Sequence, residues 1–151
     1  MNENKAREYN NMGNLFMQKK DYNQALDFYL KAISLYDEES VFYHNAGVCL
    51  LILEEKQRAI TLLKRAFEKG TKIDETELYL VSALYEIENY SDVLSFKEKR
   101  NNKYYIDINM LKLKSAIKLS KIQQAKKIIN TLKMAGFNSQ ELELIENMLW
   151  R

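Results

Sequence analysis

The 151-residue chain has no proline, four glycines, one cysteine, one histidine and one tryptophan, and each shortage removes a class of chemistry. Gly13, Gly47, Gly70 and Gly136 lie far apart, so there is no glycine loop to cradle a phosphate and no dinucleotide fingerprint. A single cysteine, Cys49, excludes an intrachain disulfide and a cysteine metal cluster. With His44 alone there is no histidine pair for a metal, and no serine–histidine–aspartate triad unless that residue is its base. The apolar stretch GVCLLIL, from Gly47 to Leu53, falls far short of the ~20 residues of a membrane span. The opening MNENKAREYNN is too polar for a secretory leader, so a cytoplasmic location is the default expectation. Cys49 inside that apolar stretch reads as a small buried thiol rather than a nucleophile. The carboxylate pairs Glu38-Glu39 and Glu54-Glu55 fall at expected turns and read as solvated charge. The expectation is a chain that is not an enzyme and holds neither cofactor nor metal.

What is present is a repeat. Moving 34 positions forward turns Tyr9, Gly13, Phe16, Ala25, Tyr29 and Ala32 into Tyr43, Gly47, Leu50, Ala59, Leu63 and Ala66, with large and small residues in the same order. A period in the thirties is the mark of stacked supersecondary units. Within the first unit, apolar or small residues recur at three and four positions on Tyr9, Met12, Gly13 and Phe16, then on Ala25, Phe28, Tyr29 and Ala32. That pattern predicts two amphipathic helices, each burying the face so marked. The turn QKKDYNQ offers Asp21 as the cap of the second helix. A glycine inside a helix weakens it by roughly 1 kcal/mol relative to alanine. Gly13 is therefore expected where the second helix crosses close by, facing Ala25.

These residues resemble the tetratricopeptide repeat (TPR) pattern: a large residue, Leu-Gly three positions on, an aromatic, then alanine, an aromatic and alanine. The first copy supplies Tyr9, Met12-Gly13, Phe16, Tyr22, Ala25, Tyr29 and Ala32; the second supplies Tyr43, Ala46-Gly47, Leu50, Ala59, Leu63 and Ala66. The usual tryptophan is tyrosine in both copies, and the helix-ending proline is Asp37 and Thr71. Further on, Tyr90 and Val93 answer Tyr22 and Ala25, with Val81 or Ser82 in place of the glycine. A fourth unit aligns on Ile122 and Ala125, which answer Tyr90 and Val93 at a spacing of 32. Asp74 with Glu77, and Asn138 with Glu141, have the spacing of capping boxes. Leu142, Ile145 and Leu149 make the apolar stripe of a final helix that covers an open end. The resemblance implies an all-α, right-handed superhelical solenoid in one domain. Its repeats are expected at about 6–39, 40–73, 74–105 and 106–137, with a capping helix at 138–151.

In such a solenoid the first helix of each pair lines a concave binding groove. Counting away from the buried face places Arg7, Asn10, Asn11, Asn14, Met17 and Gln18 in the groove, followed by Val41, His44, Asn45, Val48, Leu51 and Ile52. Asparagine amides offer a donor and an acceptor to a peptide backbone. The aliphatics suit a hydrophobic anchor or an amphipathic helix, unless neighbouring repeats cover them. TPR proteins that hold the acidic tails of heat-shock chaperones use a clamp of Lys, Asn, Asn, Lys and Arg. Here Asn14 and Asn45 match, Asn10 replaces the first lysine, and Glu75 and Tyr79 stand at the last two positions, so that activity is not expected.

Charge is divided along the chain. Residues 1–96 carry 11 basic and 16 acidic side chains, whereas 97–134 carry 11 basic ones against Glu98 and Asp107. KEKRNNKYY could follow a phosphate backbone. The lysine spacing fits a solvated face or the steering of an acidic protein better, and Lys114 with Lys118 shares one helical face. The expected partner is a protein or peptide, bound without chemistry in the groove. Self-association is the alternative, and nucleic acid is less favoured.

Overall fold

A computed structural model of the chain describes residues 2–151, which form nine helices and no strand. They are α1 (Asn2–Gln18), α2 (Tyr22–Leu35), α3 (Ser40–Ile52), α4 (Lys56–Glu68), α5 (Asp74–Glu86), α6 (Tyr90–Ser95), α7 (Tyr105–Lys118), α8 (Ile122–Met134) and α9 (Gln140–Leu149). Among the described residues, no helix is long and apolar enough to cross a membrane. The chain divides into two compact units, Met1–Ala83 and Leu84–Arg151.

In the first unit α1 packs on α2, α2 on α3 and α3 on α4. The expected small positions are its centre: Ala25, Ala32, Ala46, Ala59 and Ala66 are all fully buried, and Tyr29 and Leu63 fill the equivalent large positions. Gly13 does make room for a close approach, but what fills the space is the ring of Tyr29 rather than Ala25. A Cβ on Gly13 would lie 2.5 Å from Tyr29 Cε1, and one on Gly47 would lie 2.7 Å from Leu63 Cγ. Met12, expected in the core, is 41% exposed.

Asp21 caps α2 as expected, its carboxylate accepting from the Gln24 N–H at 3.3 Å. The turns between paired helices share a feature that composition conceals. Lys20, Glu54, Glu88 and Ser120 all adopt φ between 56° and 62°. Each follows a helix whose last turn closes in the same way, with Asp21 N donating to Phe16 O, Glu55 N to Leu50 O, Asn89 N to Leu84 O and Lys121 N to Ala116 O. These are Schellman closures with a non-glycine residue in the left-handed position, at a cost of about 1 kcal/mol each. Glycine takes that position only after α4 and α8, at Gly70 and Gly136.

In the second unit α6 packs on α7, α7 on α8 and α8 on α9. Its core is Leu113, Ala116, Ala125, Ile129, Leu132 and Leu142. Leu113 therefore takes the glycine position of the fourth repeat, twelve residues before Ala125, which fixes the register that the sequence left open. The third repeat departs from expectation. Its second helix, α6, stops after six residues at Ser95, and residues 96–104 cross irregularly to α7. This segment is tied down by a part-buried ion pair: Lys112 Nζ lies 2.9 Å from Glu98 Oε2 and donates to the Phe96 carbonyl at 2.7 Å, while Asn109 Nδ2 donates to Glu98 Oε1 at 3.0 Å. Burial alone would raise the Glu98 carboxyl; the Lys112 ammonium, together with hydrogen bonds from the Asn109 amide and the backbone, outweighs it and holds the group below its ordinary range.

Two capping expectations need correction. The cap of α9 is Ser139, whose hydroxyl accepts from Leu142 N–H at 3.1 Å, while Asn138 donates sideways to Glu143. Asp74 is the first helical residue of α5, so it and Glu77 sit in the first turn, where carboxylates complement the helix dipole.

Candidate functional site

The face of α1 and α3 expected to line a groove is partly open and partly stitched shut. Asn10 and His44 do not project into an open groove; both are only 8% exposed. Asn45 Nδ2 donates to Asn10 Oδ1 at 2.9 Å, joining α1 to α3. His44 Nδ1 lies 2.7 Å from Thr76 Oγ1, and its ring stacks on Tyr79 with centroids 6.2 Å apart, joining α3 to α5. Burial lowers the His44 pKa despite the nearby Glu75, so the ring is neutral at pH 7. Tyr79 is half-buried by the same contact. A polar residue at these positions serves to align one repeat on the next.

Arg7 is exposed but engaged, its Nη2 lying 2.9 Å from Glu3 Oε1 and 2.9 Å from Glu39 Oε2. Met17 turns inward, its sulfur 3.7 Å from Cys49 Sγ. Cys49 is fully buried and donates to the Tyr22 carbonyl; burial pushes its thiol up to about 11, which keeps it protonated and unreactive. Val48 and Leu51 are half-buried, Leu51 against the core of the unit, and Ile52 is 43% exposed. Asn11, Asn14 and Gln18 remain exposed.

Asn14 has the most developed geometry. The Tyr29 hydroxyl donates to its Oδ1 at 2.7 Å. Tyr29 is 2% exposed, and burial pushes its pKa up to about 12, so it stays a donor at any ordinary pH. The bond fixes which end of the Asn14 amide is occupied and leaves the NH2 to donate outward. The sequence reading placed Tyr29 only in the core; the signal available was that a buried tyrosine hydroxyl needs a partner.

In the second unit, Ile106, Asp107, Met110, Leu111 and Lys114 of α7 form one wall of a cleft of about 450 Å³, closed by Phe137, Ser139 and Glu141 at the entry to α9. Lys114 Nζ lies 3.0 Å from Glu141 Oε1. Lys118, one turn on, is exposed and does not line the cleft. Part of the basic third is paired internally: Lys112 with Glu98, Lys114 with Glu141 and Lys133 with Glu146, while Lys126 lies over the Trp150 ring.

Antiparallel helix pairs with small residues at the crossings, repeated every 34 positions, define a helical-repeat protein. Residues 6–38 match the tetratricopeptide repeat family. The chain is 34% identical over 91 residues to the protein STIP1 homolog of Dictyostelium discoideum; the match takes in 60% of this chain and 16% of that protein. Among solved structures, the fold is similar to that of YrrB, a TPR protein with an unusual peptide-binding site, with a TM-score of 0.69 and 19% identity over 83% of this chain and 66% of that one. It is also similar to the first TPR of Spaghetti (RPAP3) bound to the HSP90 peptide SRMEEVD, with a TM-score of 0.58 and 14% identity over 87% and 95% of the two chains. At these identities the structural likenesses speak for the fold alone. Residues 6–38 carry a tetratricopeptide repeat, and the fold of the chain is TPR-like.

Proposed function

We propose that the chain is a non-catalytic adaptor that holds a peptide segment of another protein along the exposed face of α1 and α3. The observation that carries this reading is Asn14, an exposed amide whose carbonyl oxygen is occupied by a buried tyrosine, so that its NH2 is preset to donate to a peptide carbonyl or carboxylate. Asn11 and Gln18 extend the amide row, and the exposed Ile52 offers an apolar contact beside it. Peptide binding by YrrB and by the TPR of Spaghetti supports the same mode of use. An acidic heat-shock tail is not the ligand favoured here: Arg7 is held by Glu3 and Glu39, and Glu75 and Tyr79 stand where such a clamp needs cations. The pairing of Lys112, Lys114 and Lys133 likewise disfavours nucleic acid.

Replacing both Asn14 and Asn45 by alanine would disturb the fold as well as the groove, because Tyr29 and Asn10 would each lose a partner. Asn14→Asp is the cleaner test. It keeps an acceptor for Tyr29, removes the NH2 and adds a negative charge. Proteins captured by the wild-type bait should be retained at least tenfold less by the variant, with about the same melting temperature, since tenfold corresponds to ~1.4 kcal/mol, the size of one hydrogen bond. The peptide SRMEEVD should show no saturable binding below about 1 mM. Undiminished capture by the variant would move the site off this face.

The exposed Lys118 tests the steering role separately. Lys118→Glu should slow association of a captured acidic partner about threefold and flatten its salt dependence, leaving dissociation nearly unchanged. Lys114 is unsuitable for this purpose, because reversing it would set two carboxylates against each other where α7 meets Glu141.

A further inference from the structure

Four residues along one edge of α1, namely Glu8, Met12, Leu15 and Lys19, become Phe42, Ala46, Cys49 and Leu53 when the chain is advanced by the 34-residue repeat. The second set is covered. Phe42 is 1% exposed, Ala46 and Cys49 are fully buried, and Leu53 packs on the same core. What covers this stripe includes α2, which a short turn at residues 36–39 joins to α3 and so sets antiparallel to it. The first set is open, with Met12 41% and Leu15 57% exposed. The α1 stripe is thus a surface of the type that receives an antiparallel helix in this fold.

Its spacing of four, three and four is that of a two-helix seam, and it is symmetric about the point between Gly13 and Asn14. A twofold axis through that point brings α1 against itself in the antiparallel sense. Met12 then meets Leu15 of the second copy, and Glu8 meets Lys19 of the second copy, twice over. A parallel pairing would instead place Glu8 on Glu8 and Lys19 on Lys19. We propose that α1 is a homodimerisation helix, taking a second copy of this chain antiparallel across Met12 and Leu15 with Glu8 and Lys19 as crossed ion pairs. In the single chain both charges have only exposed attachments that exchange readily: Glu8 to Lys5 at 3.2 Å, and Lys19 over the Phe16 ring at 5.5 Å. The contact is isologous, so it closes at two copies. With two apolar side chains from each copy at its centre, it belongs to the small, transient class of interfaces, with a dissociation constant on the order of 0.1 mM. The stripe residues are other than Asn11, Asn14 and Gln18, so separate substitutions read out dimerisation and peptide capture.

The test is sedimentation equilibrium of the full chain from about 5 µM to 1 mM. Wild type should pass from monomer to dimer, and Leu15→Glu should remain monomeric with an unchanged circular-dichroism melt. Glu8→Lys and Lys19→Glu, made singly, should each weaken the dimer about tenfold, because each sets two like-charge pairs across the axis. The double variant Glu8→Lys with Lys19→Glu should return to within about twofold of wild type. A wild-type chain that stays monomeric at 1 mM, a dimer indifferent to Leu15→Glu, or a double variant no better than the single ones would each overturn the proposal.

Discussion

Lys112→Met should destabilise the protein by about 2 kcal/mol at pH 7, somewhat below the cost of leaving one member of a fully buried ion pair alone. Glu98 and Lys112 are 10% and 14% exposed in their side chains, and the pair is the tether that holds residues 96–104 against α7. Methionine fills the space of the lysine stem and removes only the ammonium, which leaves the Glu98 carboxylate with the Asn109 amide. The sign of the pH dependence follows from the depressed carboxyl. In the wild type the pair contributes its full stability above the ordinary glutamate range and loses it as pH falls through the lowered folded value. In Lys112→Met the part-buried carboxyl has lost its cation and takes a proton readily. The gap between variant and wild type should therefore narrow as pH is lowered from 7 toward 4. Chemical denaturation of both proteins at a series of pH values measures it. Adding Glu98→Gln to Lys112→Met removes the unpaired charge and should recover most of the loss at pH 7. A gap that does not change with pH would mean that the lysine acts only through packing and its bond to the Phe96 carbonyl.

That pair was invisible in the sequence, and the reason is general to the basic third. Charges on one helix find each other at three or four positions, and a reader of sequence can count those. Glu98 lies 14 residues before Lys112, Glu141 lies 27 after Lys114, and Glu146 lies 13 after Lys133. These are tertiary pairings, and a tally of lysines between 97 and 134 records the charge without its partners. The early end of α6 was hidden for a related reason. Residues 74–95 keep repeat character through Tyr90 and Val93, but no proline or glycine marks the break after Ser95.

The repeat itself was legible because it rests on size. Alanines at 25, 59 and 125 are all fully buried where helices cross, and no side-chain chemistry is needed to read them. The left-handed turn positions were not legible, since Lys20, Glu54, Glu88 and Ser120 share a backbone shape and no side-chain type. Helical counting likewise gave the direction of each groove residue without saying what lies opposite. Asn10 and His44 point from the counted faces, but Asn45 and Thr76, 35 and 32 residues away, reach across and close over them. Met12 is the converse: it was counted into the core, and its edge of α1 is open.

The close approaches at the two helical glycines set the second large expectation. Gly13→Leu should cost about 3 kcal/mol and lower the melting temperature by roughly 6 to 12 °C, at the upper end of overpacking. A Cβ there meets Tyr29 Cε1 at 2.5 Å and Cδ1 at 2.7 Å. That ring cannot swing aside freely, because it is 2% exposed and its hydroxyl is bound to Asn14. Even Gly13→Ala, which gains about 1 kcal/mol of helix propensity, should end below wild type, because the propensity gain is smaller than the cost of moving the ring. Gly47→Ala should be milder. The atoms in its way are Leu63 Cγ and Cδ2 at 2.7 and 2.8 Å, an aliphatic side chain with no hydrogen bond to lose, and the Ala59 carbonyl at 3.5 Å is an ordinary contact. Thermal melts of the three variants give the order: Gly13→Leu lowest, then Gly13→Ala, then Gly47→Ala. Loss of the Tyr29 bond would also free the Asn14 amide to turn, so Gly13→Ala should weaken peptide capture as well as the fold, whereas Gly47→Ala should leave capture nearly intact. A Gly13→Leu protein that melts within about a degree of wild type would mean that α1 and α2 do not cross in this register.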